Sequence, residues 1–339
     1  MHPIITPETY NAAEAWSDKI LSDHDVVYNP ARLDQAVKAK ALQIDFPSTA
    51  LMALVRNVSV NHIKRTAPGI KRQVSFFVKQ WYQQQGSILQ LARDLNYSPY
   101  LLARGMAEEI CAFKGNNNTK KKLIAEAMRD PENQLELNVE SIGAHFLVAT
   151  EVTLGCNKTD EKSNDQEKQK ARQVTMRLAR DVREAIDFDP FYGPMHDKER
   201  YLVGIEYEVV LEQQLKVLGI PFETEEALRG LGTSRTPDIL LQCPMSVQVR
   251  KVDGTGLEWK MISWIDSKAM FGDVKTHQSS VLPQTEAYVH RHGPGMVLYW
   301  FGHAPLVMLD NSQGDIVIVG WDLPERWMWP TGELLKNNN

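Results

Sequence analysis

The chain is poor in cysteine. Its 339 residues contain three, Cys111, Cys156 and Cys243, far apart and without a CxxC spacing, so neither a disulfide framework nor a zinc ribbon is indicated and a reducing compartment is expected. Long apolar runs are also missing. None approaches the roughly 18 to 20 residues that span a bilayer, and Met1-His2-Pro3-Ile4-Ile5 does not lead a basic segment into an apolar one. Neither membrane insertion nor secretion is expected. No GxxxxGK[ST] phosphate loop and no GxSxG elbow occurs, which removes the usual motif basis for P-loop NTPases and α/β-hydrolases. His277, His290, His292 and His303 lack a metal-ligand spacing and read as surface or rim residues. Acidic side chains are missing from one long interval: none falls between Asp45 and Asp94, whereas Arg56, Lys64, Arg65, Lys71, Arg72, Lys79 and Arg93 do.

That interval gives the net charge of -5 an uneven distribution: residues 1 to 130 carry 17 Lys/Arg against 12 Asp/Glu, and the acidic excess lies in the remainder. The seven cations are a candidate nucleic-acid-binding surface, because clustered cations gain affinity by releasing phosphate counterions. A solvated basic face is the alternative. Phe76, Phe77, Trp81 and Tyr82 lie among them, a spacing that suits either base stacking or a core stripe.

At 43% hydrophobic the chain can bury a sizeable core, and its length suggests two domains. Leu33, Val37, Ala41, Leu42 and Ile44 follow a helical rhythm, Phe46-Pro47-Ser48 breaks it, and Leu51, Leu54, Val55 and Val58 resume it. Ile88, Leu91, Ala92 and Leu95 repeat the design, followed by Asn96-Tyr97-Ser98-Pro99 and then Leu101, Leu102, Met106 and Ile110. Ser98 suits a helix cap and Pro99 the first helical position. Tandem helix-turn-helix units over residues 1 to 130 are therefore expected, for groove binding or plain packing. Gly115 to Lys122 reads as a linker or exposed loop, Cys156 to Arg172 as an exposed or disordered insertion within a connecting segment 131 to 185, and Lys336 to Asn339 as a frayed tail.

Residues 186 to 335 change character. Tyr201 to Leu218 reads as a strongly apolar helix ended by Gly219. Ile239 to Leu241, Met245 to Val249, Leu257 to Ile265, Met296 to Phe301 and Ile316 to Trp321 are strand-like, Asp253-Gly254-Thr255-Gly256 is a turn, and a short helix spans about Pro283 to His292. This order describes a mixed α/β sheet flanked by helices.

The chemistry sits at strand ends. Asp266 and Lys268 alternate with Ser267 and so share a face. Asp238, behind Pro237, stands at the start of another strand, and a hairpin would bring the two carboxylates together. Oxygen ligands suit a hard divalent cation, with Asp238, Asp266 and the Ser267 carbonyl as ligands and Lys268 to orient water or neutralise phosphate. Taken singly, a turn aspartate and a local ion pair are the plainer readings; together these charges interrupt an apolar stretch, where unmatched charge is costly. Glu206 and Glu208 add acid upstream; Glu208, on the row Leu211, Leu215, Leu218, is the better candidate to face the sheet. Gln284 and Tyr288, four apart, share a helical face and can bond a phosphate or a bound water.

Pro237-Asp238 with Asp266-Ser267-Lys268 resembles the PD-(D/E)xK nuclease signature, Glu208 its preceding helical acid, and Gln284 to Tyr288 the QxxxY element of some branches. Arg235-Thr236-Pro237-Asp238, Trp264-Ile265-Asp266-Ser267-Lys268-Ala269, Phe271-Gly272-Asp273, Gly293-Pro294-Gly295, His62-Ile63-Lys64-Arg65-Thr66 and Met128-Arg129-Asp130-Pro131 resemble the codanin-interacting nuclease family more closely. The similarity covers most of the chain except residues about 133 to 175. It implies a restriction-endonuclease-like core behind the tandem helical units, and Mg2+ dependence with Mn2+ as an alternative. It further implies a codanin-like partner linked to chromatin and red-cell development and residence in nucleus and cytoplasm; the expected substrate is DNA or structured nucleic acid, with the choice between DNA and RNA left open. A catalytically inactive scaffold that binds codanin is the alternative. The sequence departs from the family form in two respects: Asp266 replaces a glutamate, and Pro283 is expected to shorten the helix bearing Gln284.

Overall fold

The computed structural model describes residues 5–111, 116–136, 161–230, 232, 235–309 and 314–335. They form two compact units, one of Met1–Asp18, Val37–Asn57 and Glu199–Asn339, the other of Lys19–Ala36 and Val58–Lys198. Residues 1 to 130, grouped together on sequence, contribute to both. No helix among the described residues is long and apolar enough to cross a membrane.

The second unit is helical. It contains α2 (His24–Val27), most of α4 (Ser48–Arg72), α5 (Val74–Gln84), α6 (Ile88–Asp94), α7 (Pro99–Ile110), α8 (Asn117–Arg129), α9 (Pro131–Glu136) and α10 (Glu161–Asp187). α1 (Pro7–Ile20) and α3 (Pro30–Ile44) pass from one unit into the other. Both expected helix-break-helix patterns are present. Asp45 (φ 52°) and Asn96 (φ 46°) adopt the left-handed conformation at the two breaks, and the Ser98 hydroxyl accepts from the Leu101 amide at 3.1 Å with Pro99 opening α7. Buried Asp189 secures this second turn by accepting bonds from the Ser98 hydroxyl and the amides of Tyr100, Phe191 and Tyr192. Phe77 and Trp81 belong to the core with Leu102, Met106, Leu178 and Val182. Core packing thus accounts for these two aromatics, while Phe76 is exposed and Tyr82 half-buried.

Two loop expectations are corrected here. Residues 117 to 122 are helical because Asn116 caps α8, accepting from the Thr119 amide at 2.9 Å; Gly115 lies outside the described residues. Residues 161 to 172 form the first half of α10, whose second half buries Leu178, Ala179, Val182 and Ala185. A helix nucleated by packing extends cheaply through a Lys-, Gln- and Glu-rich stretch, because propagation costs far less than nucleation. Residues 156 to 160 and 336 to 339 lie outside the described set.

The first unit is built on a mixed sheet of order β1-β2-β3-β4-β5: β1 (Phe222–Thr224), β2 (Ile239–Arg250), β3 (Leu257–Lys268), β4 (Gly295–Tyr299) and β5 (Ile316–Gly320), with β6 (Trp327–Met328) also on β2. The first three strands pair antiparallel, and β3, β4 and β5 run parallel. The segments 239–241 and 245–249 are one strand with a register shift between Leu240 and Met245. On one face, Leu211 and Leu215 of α11 (Pro194–Leu218) pack with Ile239, Met245, Ile262, Ile265 and Leu298. α12 (Glu225–Gly230) follows β1 directly. Trp264, two residues from Asp266, meets Tyr288 edge-on at 5.4 Å between ring centroids.

Two helices differ from expectation. The apolar residues of α11 are only partly inside: Tyr201, Leu202, Ile205 and Val209 are exposed, because Leu211 and Leu215 alone are fully buried on this helix. Pro283 does not shorten its helix. The helical run starts with α13 (Val274–Thr276), passes through a π-turn (His277–Val281) and continues as α14 (Leu282–His292). The wider turn ahead of Pro283 fits a residue that lacks an N–H and crowds the carbonyl four positions back.

Candidate active site

Strand register assembles the site. Ile239 pairs with Ile265 and Leu240 with Trp264, so one step further along the same register Asp238 stands opposite Asp266. On the other side Thr224 pairs with Ile239, which places Glu225 opposite Asp238. Directly opposed residues of antiparallel strands project to one face a few ångströms apart. Three carboxyl-bearing positions, Glu225, Asp238 and Asp266, therefore fall in one row across the sheet. Like charges opposed in this way repel, so the row needs a proton or a cation.

The β2–β3 ladder stops at Ile265, and the next inward-facing amide, that of Ser267, donates instead to Asp238 Oδ2 at 2.6 Å. The carbonyl of Ser267 leaves the same edge of the strand as its N–H, toward Asp238. Its hydroxyl is engaged elsewhere, accepting from Trp300 Nε1 at 2.8 Å. Lys268 Nζ lies 2.6 Å from Asp266 Oδ2 and donates to Gln284 Oε1 at 3.3 Å; the Gln284 amide in turn donates to the Tyr288 hydroxyl at 2.6 Å. α14 thus brings Gln284 and Tyr288 to the lysine.

Electrostatics reflect this crowding. Burial, and then the neighbouring Asp266 charge, push the Asp238 carboxyl up to about 8. Asp266, 1% exposed, is also raised by burial, against the pull of Lys268. Burial alone would lower Lys268, but Asp266, Asp238 and Glu208 hold it above its ordinary value. Glu208 is exposed at the surface of α11 and not packed against the sheet; partial desolvation and Glu225 raise it, and it feels both Lys268 and Asp266. Between the two glutamates of α11, Glu208 is the one electrostatically linked to the cluster. Tyr288 is raised by burial and by Asp266.

A divalent cation suits these donors. Asp266 Oδ2 meets the Lys268 ammonium, while buried Asp266 Oδ1 has no hydrogen-bond donor among the described residues. Two opposed carboxylates and a strand carbonyl are hard oxygen donors. No group of three His, Cys, Asp or Glu forms a ready cage among the described residues.

The basic positions are divided. Lys64, Arg65, Lys71, Arg72 and Lys79 are exposed in the helical unit, and the seven-residue spacing of Lys64 to Lys71 and Arg65 to Arg72 puts each pair on one side of α4. Arg93 is half-buried, paired with Asp25 at 3.6 Å and donating to the Tyr28 carbonyl at 3.3 Å. Arg56 is half-buried, engaged, and in the other unit. The structure therefore gathers five of the seven on α4 and α5. Glu225 was missed by sequence reading, since nothing in Phe222-Glu223-Thr224-Glu225 reveals its register against Asp238.

Opposed aspartates on neighbouring strands of a mixed sheet, a lysine two residues beyond the second, and a helical glutamate nearby have the form of the PD-(D/E)xK class. A family model described as "Protein of unknown function TPD sequence-motif" matches residues 174–320. The human protein CDAN1-interacting nuclease 1 is 29% identical over 288 residues, 81% of this chain and 84% of the relative. Proteins of the same name from Xenopus laevis (30% over 234 residues, 69% and 61%) and Danio rerio (27% over 293 residues, 83% and 81%) also match. No solved structure matches. Over most of its length the chain is similar to proteins of the codanin-interacting nuclease family.

Proposed function

We propose that this protein is a divalent-metal-dependent nuclease that hydrolyses phosphodiester bonds of DNA or structured nucleic acid and acts with a codanin-like partner in nucleus and cytoplasm. The observation that carries the reading is the opposed Asp238/Asp266 pair with the unpartnered Asp266 Oδ1 beside Lys268. Asp238, Asp266 and the Ser267 carbonyl would hold Mg2+ or Mn2+, with Glu208 at the margin. When bound, such a cation supplies charge neutralisation at the phosphate and acidifies water. Lys268 places its ammonium where a phosphate oxygen or the attacking water can be hydrogen-bonded, and Gln284 fixes the direction of that ammonium. Tyr288 holds Gln284 in turn. The exposed cations of α4 and α5 supply a sequence-independent hold on the phosphate backbone.

The test is cleavage of forked, flapped and junction DNA, with matching RNA, by the purified chain in Mg2+ or Mn2+. Activity lost in Asp238→Ala and Lys268→Ala proteins of intact fold is the expected result. Wild type inert on every substrate with both metals would end the enzymatic reading. A second reading, a scaffold that works by binding its partner, draws support from the exposed stripe Tyr201, Ile205 and Val209, spaced four apart on α11. On that reading Ile205→Glu abolishes capture of a codanin-like protein while Asp238→Ala does not.

A further inference from the structure

Thr236 of the Thr-Pro-Asp segment is buried, only 3% exposed, yet it touches no phosphate-like or metal-like position described above. Its hydroxyl donates to Glu225 Oε1 at 3.2 Å. The Glu225 amide donates to the Asp238 carbonyl at 2.9 Å, extending the β1–β2 pairing by one step. Glu225 therefore grips the segment at both ends, by its side chain at residue 236 and by its backbone at residue 238. The same Oε1 receives Arg229 at 2.7 Å, so α12 in turn fixes the glutamate. The segment has reason to need a grip. Arg235, just before it, has φ 55°, a conformation that non-glycine residues adopt at a cost, and the β2–β3 pairing begins only at Ile239.

We infer that Glu225 is a positioning residue: through Thr236 and the Asp238 backbone it holds the Asp238 carboxylate opposite Asp266. This inference rests on the metal-site reading for its consequence, but not for its geometry. Oε1 of Glu225 takes both side-chain donors, from Thr236 and Arg229, which places that oxygen as an anchor of the segment. The hydroxyl of Thr236 acts through Glu225, which gives the threonine before Pro237-Asp238 a physical task. Outer-shell partners of this kind typically tune metal affinity by about 10- to 100-fold.

The full-length wild type is compared with Glu225→Ala, Glu225→Gln, Thr236→Val, Thr236→Ser and the double Glu225→Ala/Thr236→Val, by Mn2+ titration calorimetry and by amide hydrogen exchange of residues 236 to 241. Glu225→Ala and Thr236→Val are expected to weaken Mn2+ binding about tenfold and to speed exchange of this segment. Thr236→Ser and Glu225→Gln, which keep a donor and an acceptor, are expected to stay near wild type, and the double variant to be no worse than either single one. Exchange unchanged in Glu225→Ala and Thr236→Val overturns the inference. So does a Glu225→Gln variant as impaired as Glu225→Ala, since that outcome makes the charge, and not the hydrogen bond, the active element. If wild type binds no Mn2+, the metal-site reading fails, and the exchange measurement still decides whether the anchor exists.

Discussion

The metal-free protein should lose stability as pH rises through the neutral range, and Asp238 should be a main cause. Burial and the neighbouring Asp266 charge push its carboxyl up to about 8 in the folded protein, compared with about 3.9 in an unfolded chain. Between those values the folded state holds a proton that the unfolded state has released. Stability from this group is therefore full below about pH 4 and falls by up to about 1.4 kcal/mol per pH unit until the folded carboxyl ionises. Because Asp238 retains some exposed surface and shares its charge with Asp266 and Lys268, a loss of about 2 to 4 kcal/mol from pH 5 to 8 is the working magnitude. Urea unfolding in EDTA at several pH values measures it. Asp189, raised by burial in the helical unit, adds a slope of the same sign, so the diagnostic quantity is wild type minus Asp238→Asn. That difference should steepen with pH, and Mn2+ affinity should increase with pH over the same window, since the cation displaces the proton. Parallel stability profiles for wild type and Asp238→Asn, or a wild type that gains stability toward pH 8, would refute the argument.

Three further outcomes follow from single contacts. Gly295→Ala would place a methyl 2.0 Å from the Trp264 ring, and with Trp264 fully buried the substitution should cost about 3 kcal/mol or more by urea unfolding; an unchanged midpoint would show that the ring can move aside. Asp189→Ala removes one acceptor that serves the Ser98 hydroxyl and three backbone amides. It should cost about 3 kcal/mol, with faster hydrogen exchange at Tyr100, Phe191 and Tyr192 as the local signature. Lys268→Ala leaves Asp266 without its ammonium partner. In EDTA this should cost about 2 to 3 kcal/mol, partly offset by saturating Mg2+, and cleavage in Mg2+ should be lost; no recovery of stability with Mg2+ would argue against a cation at Asp266.

Much of the site was legible before any fold was known, for a local reason. Asp266 and Lys268 need only strand alternation to share a face, and Gln284 and Tyr288 only helical spacing; both are periodicities of the chain itself. The second helix-break-helix was equally plain, since Ser98 and Pro99 act on their immediate neighbours. The failures are also local readings, overruled from outside. Residues 161 to 172 look too polar to order, and they are helical because α10 continues into Leu178 and Val182. Trp81 among cations looks available for stacking, and it is buried with its indole N–H on Asp181 at 2.8 Å. Arg93 looks like part of a phosphate-facing surface, but Asp25 and the Tyr28 carbonyl engage it.

Residue order alone determined which side chains could carry the proposed chemistry, because the carboxylates, the ammonium and the amide are supplied by the chain itself. It also determined the helix breaks, whose caps reach no further than three residues. Tertiary structure decided that Asp238 faces Asp266 across β2 and β3, that Glu225 joins their row, and which cations remain in solvent. Those facts depend on strand register and on burial, which arise between segments distant in sequence; a shift of one residue in the β1–β2 pairing would turn Glu225 to the opposite face.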